Sequence, residues 1–123
     1  MRPFLIVAFT FLLLNSNAQS HKGLCNVEVK NVTDLNFFGP TFSFDVTFKN
    51  NSNRSISYIY YDVECYNYDG EKLGWFENKQ GAKKITLLPG QLYEEHRSLN
   101  KSGTSKVAIK IRKIVYESGS TCE

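Results

Sequence analysis

Thr41 to Lys49 reads TFSFDVTFK, and its alternation is strict. Phe42, Phe44, Val46 and Phe48 fall on one phase, Thr41, Ser43, Asp45 and Thr47 on the other. Apolar residues at every second position put all their side chains on one side of an extended chain. The segment is therefore a half-buried β-strand, and a helix of the same sequence would scatter the four apolar groups around its surface. Asn50-Asn51-Ser52-Asn53 then breaks the chain with turn formers.

The same period organises most of the chain on either side of this strand. Cys25–Val32 alternates, with Cys25, Val27 and Val29 on one side. In Ser57–Tyr68, Ile59, Tyr61, Val63 and Cys65 share one face, and Tyr58, Tyr60, Asp62, Glu64, Tyr66 and Tyr68 the other. Asp69-Gly70 is a hairpin turn, which makes Lys72–Phe76 the return strand. A polar loop over Asn78–Lys84 precedes a short strand at Lys84–Leu88, closed by Pro89-Gly90. Leu92–Leu99 and Ser105–Tyr116 complete the set, with Val107, Ile109 and Ile111 inward and a change of apolar phase at Ile114-Val115 that predicts a bulge. No segment holds a helical period over ten residues. About seven antiparallel strands with turn signals every 8–12 residues or so predict an all-β fold, an immunoglobulin-like β-sandwich.

The first residues do not belong to that pattern. Arg2, the apolar run Phe4–Leu14 and the small polar stretch Asn15–Ala18 form the three parts of a secretory signal. Residues 1–18 are expected to be removed, with cleavage before Gln19, leaving 19–123 as one domain. The apolar run is short of the roughly 20 residues that span a bilayer, so no stable membrane insertion is expected. The expected location is secreted or periplasmic. The formal net charge of +3 falls to +2 when Arg2 leaves with the signal. Lys106, Lys110, Arg112 and Lys113 alternate with apolar residues, as the wet face of a strand does, and no concentrated basic surface for nucleic acid is predicted.

Cys25, Cys65 and Cys122 are the three cysteines, and an oxidising compartment favours pairing two of them. Cys25 and Cys122 flank the domain, where the terminal strands of a sandwich lie close together, so they are the expected disulfide. The alternatives are three reduced thiols or a bond to Cys65. The phase of Cys65 places it with Ile59 and Val63, as a small core residue.

The middle of the chain resembles a known family. The Asn-rich turn after Phe48, Tyr61-Asp62-Val63-Glu64-Cys65-Tyr66-Asn67-Tyr68-Asp69-Gly70 and Leu88-Pro89-Gly90 are similar to FxLYD-type domains over residues 42–93. That resemblance implies an immunoglobulin-like domain of an exported bacterial protein and carries no catalytic residues.

Chemistry has little to work with. There are two histidines, His21 and His96, no Cys-x-x-Cys and no Gly-x-Ser-x-Gly, so neither a metal site nor a cofactor is expected. Glu94 and His96 share a strand face, and Asp62 and Glu64 stand side by side, but a solvated strand explains both. The functional signal is aromatic. Tyr58, Tyr60, Tyr66 and Tyr68 fall on the polar phase of one strand, with Trp75 just beyond. Such rows offer rigid area to a ligand; the plain alternative is tyrosines pairing across a covered sheet. The expectation is a non-enzymatic exported binding or accessory module for an unknown protein or glycan. A carbohydrate-binding domain is the second reading, and a small hydrolase using Glu64 or His96 the third. Asn31, Asn50, Asn53 and Asn100 begin Asn-x-Ser/Thr sequons, glycan acceptors in a eukaryotic secretory route.

Overall fold

The computed structural model describes residues 21–77 and 83–123. The expected signal peptide, its cleavage point before Gln19 and residues 78–82 of the polar loop lie outside the described residues. Among the described residues no helix is long and apolar enough to cross a membrane.

The chain forms two antiparallel sheets. One holds β1 (Val27–Val32), β2 (Asn36–Phe38), β3 (Thr41–Asn50) and β6 (Leu92–Asn100); the other holds β4 (Ile56–Tyr66), β5 (Lys72–Glu77), β7 (Lys106–Tyr116) and β8 (Thr121–Cys122). The strictly alternating strand, β3, is the centre of the first sheet. β6 pairs with it along its whole length, from Thr41↔Asn100 to Lys49↔Leu92. β1 and β2 share its other side, one at each end. The gap between them is bridged by Thr33, whose N–H donates to the Asp45 carbonyl at 3.0 Å and whose Oγ1 accepts from the Asp45 N–H at 2.8 Å. The second sheet runs β5-β4-β7-β8.

The apolar phases of the two sheets meet. Phe42, Phe44, Val46 and Phe48 from β3 pack against Ile59, Tyr61, Val63 and Cys65 from β4 and Val107, Ile109, Ile111 and Ile114 from β7. The rings of Phe48 and Tyr61 lie 5.0 Å apart across the interior. Each such side chain contributes about 1.5–3 kcal/mol on full burial, which is why β3 and β4 hold their registers. A slip by one residue would turn Asp45 or Glu64 inward.

The predicted bulge exists, slightly upstream of the expected position. Tyr61 pairs with Ile111 and Tyr60 with Lys113, so Arg112 is the extra residue. This resets the alternation and lets Ile114 and Tyr116 point inward like Ile111. A second irregularity at Ser57, between Ile56↔Tyr116 and Tyr58↔Val115, compensates on β4.

Three expectations are corrected. Lys84–Leu88 is no strand: Ile85 and Leu87 hydrogen-bond to Ser57 and Ile56, but only the Ile56↔Leu87 bridge forms before the Pro89-Gly90 turn. Two short strands, β2 and β8, add to the expected set; at three and two residues they carry no period of their own. The first strand begins at Val27, because Cys25 and Asn26 occupy the tip of a tight turn closed by Leu24 and Val27. Both tip residues have positive φ, 55° and 61°, as primed hairpin turns require. From that turn Cys25 forms the expected disulfide with Cys122 of β8, 97 positions along the chain. Cys65 is a free thiol, fully buried in the core.

Candidate functional site

β4 turns alternate side chains away from the core, although Asp62 on that phase is itself buried. Its outward phase carries Tyr58, Tyr60, Asp62, Glu64 and Tyr66, opposite the buried Ile59, Tyr61, Val63 and Cys65. Directly opposed residues in an antiparallel pair point to the same side, so the neighbours can be read from the register. On β5, Trp75 is opposed to Glu64 and Glu77 to Asp62. On β7, Lys106 is opposed to Tyr66, Ala108 to Glu64, Lys110 to Asp62 and Lys113 to Tyr60. The outer face of this sheet therefore gathers Tyr58, Tyr60, Tyr66 and Trp75 with a row of lysines. From Tyr58 to Tyr66 it extends roughly 26 Å, from the strand rise of about 3.3 Å per residue.

The β4–β5 hairpin explains why Trp75 is there. Asn67 and Glu71 close the loop: the Asn67 N–H donates to the Glu71 carbonyl at 3.0 Å, and the Glu71 N–H to Asn67 Oδ1 at 2.9 Å. Gly70 takes φ 86° in this loop, a conformation an L side chain resists. A register shift between Cys65 and Tyr66 sets Lys72 against Tyr66.

Within the face, charges and rings are interleaved. Glu64 accepts from Lys72 Nζ at 3.2 Å and from the Tyr66 hydroxyl at 3.1 Å. Lys72 Nζ also lies 5.3 Å from the Trp75 ring centre. Lys113 Nζ lies 5.6 Å from the Tyr60 ring, which leans on Tyr58 at 6.1 Å. Cations within about 6 Å of a ring face are attracted by its quadrupole. Burial, then the neighbouring Glu64 charge, push the Tyr66 phenol upward, so it stays protonated and donating. At the bulge, Arg112 Nε donates to Asp62 Oδ1 at 2.6 Å, and Arg112 Nη2 is buried with no hydrogen-bond partner among the described residues. Lys110 is exposed and Lys106 half-buried.

The structure thus places four of the five aromatic residues on one face, Tyr58 against Tyr60 toward one end of β4 and Tyr66 and Trp75 toward the other. Trp75, 58% exposed, stands furthest into solvent; Tyr58, Tyr60 and Tyr66 are half-buried against their neighbours. Tyr68 is off the sheet, in the hairpin loop, and exposed. The lysines beside the rings read in the sequence only as a wet strand face. That Lys113 meets Tyr60 is set by the bulge at Arg112, whose exact position the change of apolar phase at Ile114-Val115 does not give.

The other chemical candidates are separated. Cys65 points into the core from one sheet, and burial pushes its thiol up, away from reactivity. His96 is exposed on the other sheet, with Nδ1 2.8 Å from Asp45 Oδ1. Glu95 turns the opposite way and accepts from the Tyr61 hydroxyl at 2.9 Å. Glu64 lies on an open face. Among the described residues no group of His, Cys, Asp and Glu is placed to hold a metal ion. A shallow cleft of about 130 Å³, lined by His21, Val32–Leu35 and Ser105–Val107, includes none of the aromatic residues.

No family model matches the chain, and no curated protein matches it. Among solved structures it is similar to a DUF1425 family member from Shewanella sp. pv-4. The TM-score is 0.50 with 15% identity, over 70% of this chain and 76% of that one. At that identity the likeness speaks to the fold alone.

Proposed function

We propose that this chain is an exported, non-enzymatic binding module, immunoglobulin-like in fold, whose ligand lies across the outer face of β5, β4 and β7. One observation carries the reading. Tyr58, Tyr60, Tyr66 and Trp75 share one outer face with Lys72, Lys106, Lys110 and Lys113, and these lysines outnumber Asp62, Glu64 and Glu77 on it. Rings supply rigid contact area and lysines supply charge, without a cleft to enclose a small molecule. That combination suits an extended acidic ligand, a glycan bearing carboxylates or an acidic protein segment. The FxLYD-type resemblance over residues 42–93 supports the module reading. Export is supported by the pattern of residues 1–18 and by a disulfide, which persists in oxidising compartments.

Trp75 is the single tryptophan, so its emission reports on this face without a label. Titration with polygalacturonate is expected to change that emission saturably, while dextran leaves it flat. Tyr60→Ala with Tyr66→Ala should weaken the binding at least tenfold. An unchanged affinity in the double variant removes the aromatic face as the site. A glycan array, set against pull-down with acidic peptides, separates a carbohydrate-binding domain from a protein-binding one.

A further inference from the structure

β6 is paired with β3 on one side along its whole length. Among the described residues, nothing pairs with its other side. Nine residues of open edge present a row of backbone donors and acceptors to any strand that its side chains admit. Those side chains are charged at the centre. Glu94 and His96 are exposed on the outer phase, and Glu95 and Arg97 are half-buried on the inner one.

We propose that β6 pairs antiparallel with β6 of a second copy of this chain, about a two-fold axis at His96, fusing two sheets into one. Opposed residues of an antiparallel pair point to the same face. A symmetric pairing must therefore be centred on a residue that faces its own copy, never between residues. With His96 at the centre, Glu95 is opposed to Arg97 of the second copy, and Arg97 to its Glu95. Tyr93 then meets Leu99, and Glu94 meets Ser98. Centring on Glu94, Glu95 or Arg97 sets that charge against itself, and like charges directly opposed are destabilising. The inner charges are already held in place. Glu95 accepts from the Tyr61 hydroxyl at 2.9 Å, and Arg97 Nη1 donates to the same oxygen at 3.0 Å. Each His96 brings its own Asp45 carboxylate, so two opposed imidazoles do not gather uncompensated charge. Inward charges usually close a sheet edge to other chains; here they close it to the registers centred on Glu95 and Arg97, and the centre at His96 is the one that sets each Glu95 against an Arg97. Edge pairing alone buries less than a standard interface, so the dimer dissociates on dilution.

Sedimentation equilibrium of the full secreted chain tests this. The wild type should shift from monomer to dimer with concentration. Glu95→Arg and Arg97→Glu should each be monomeric alone, because each makes the inner charges alike. Mixed together they should recover the dimer, since the two edges are then oppositely charged. Near-ultraviolet circular dichroism confirms that each variant is folded. Cysteine placement checks the register. His96→Cys should cross-link into a covalent dimer on mild oxidation, with Cα atoms about 4.5–5.5 Å apart. Glu94→Cys should not, its copies being offset by roughly 13 Å along the strands. A wild type that stays monomeric at high concentration, a mixture that fails to dimerise, or cross-linking of Glu94→Cys as readily as His96→Cys overturns the proposal.

Discussion

The side-chain amide of Asn50 donates to the Leu87 carbonyl at 3.0 Å, across 37 positions of sequence. Asn50 ends the central strand of one sheet, and Leu87 borders the first strand of the other through its bridge to Ile56. The same amide donates to the Arg54 carbonyl at 2.8 Å, and its oxygen accepts from the Ser52 N–H and hydroxyl. Asn50 is completely buried. Asn50→Ala removes these bonds and empties a filled interior position; the Leu87 carbonyl keeps the Ile56 N–H at 3.0 Å and the Arg54 carbonyl keeps the Ser52 hydroxyl at 3.1 Å, so the cost is about 1–3 kcal/mol. Urea unfolding should show a loss of that size, while Asn51→Ala, at an exposed position, stays within about 1 kcal/mol. Expressed in a glycosylating host, the chain should carry no glycan at Asn50, although the sequon is intact.

Breaking the Cys25–Cys122 bond frees a loop of 97 positions in the unfolded chain. The chain-entropy treatment puts the upper bound near 4–5 kcal/mol for so long a loop. The Cys25→Ser, Cys122→Ser variant should show an earlier urea midpoint and a steeper slope, because its unfolded chain, free of the cross-link, exposes more surface. Reductant should move the wild type to the same midpoint and leave the variant where it is.

Cys65 should be silent in the native protein. It is fully buried and its thiol is pushed up by burial, and the thiolate is the reactive form. Alkylation should therefore be negligible until denaturant is added, and then reach one thiol per chain before reduction. Cys65→Ala should destabilise, since it leaves a void in the core.

His21 accepts the Ile109 N–H through Nδ1 at 3.0 Å, which requires that nitrogen to be unprotonated. Burial lowers its proton affinity below the usual 6.5. The unfolded chain then takes the proton first, so stability is full above pH 6.5 and declines as pH falls from there through the lowered folded value. Thermal unfolding between pH 7 and 5 should show this decline. His21→Ala should flatten it and should loosen the Lys22 segment, whose backbone bonds flank Lys110 of β7.

Asp62→Ala should cost about 2 kcal/mol. Asp62 is 9% exposed and carries the only ion pair described for Arg112, 2.6 Å away. Fully buried pairs lose about 3–5 kcal/mol when one partner is deleted, and Arg112 keeps some contact with water. Replacing both residues, Asp62→Leu with Arg112→Met, should recover much of the loss.

The sequence made β3 legible, since its four apolar residues leave one choice of buried face. It made the core phase of β4 and the Cys25–Cys122 pair legible too, the first from period, the second from position. It misled at Lys84–Leu88, where Ile85 and Leu87 alternate like a strand but only Leu87 finds a bridge partner. It missed the role of Asn50, because an asparagine in a run of turn formers looks the same whether it turns the chain or anchors it. The aromatic row on β4 could be read from its phase. That Lys113 stands beside Tyr60 could not, because the exact position of the extra residue at Arg112 decides it.

The bond between Cys25 and Cys122 has a mechanical side. It joins the turn before the first strand to the last strand, with Cα atoms 6.4 Å apart. A pull on the segments outside the two cysteines passes from one to the other through sulfur, and the strands between them carry no load. A tether drawn through this domain would meet a short, inextensible link until a reductant cut it. Only then would the sheets begin to bear force.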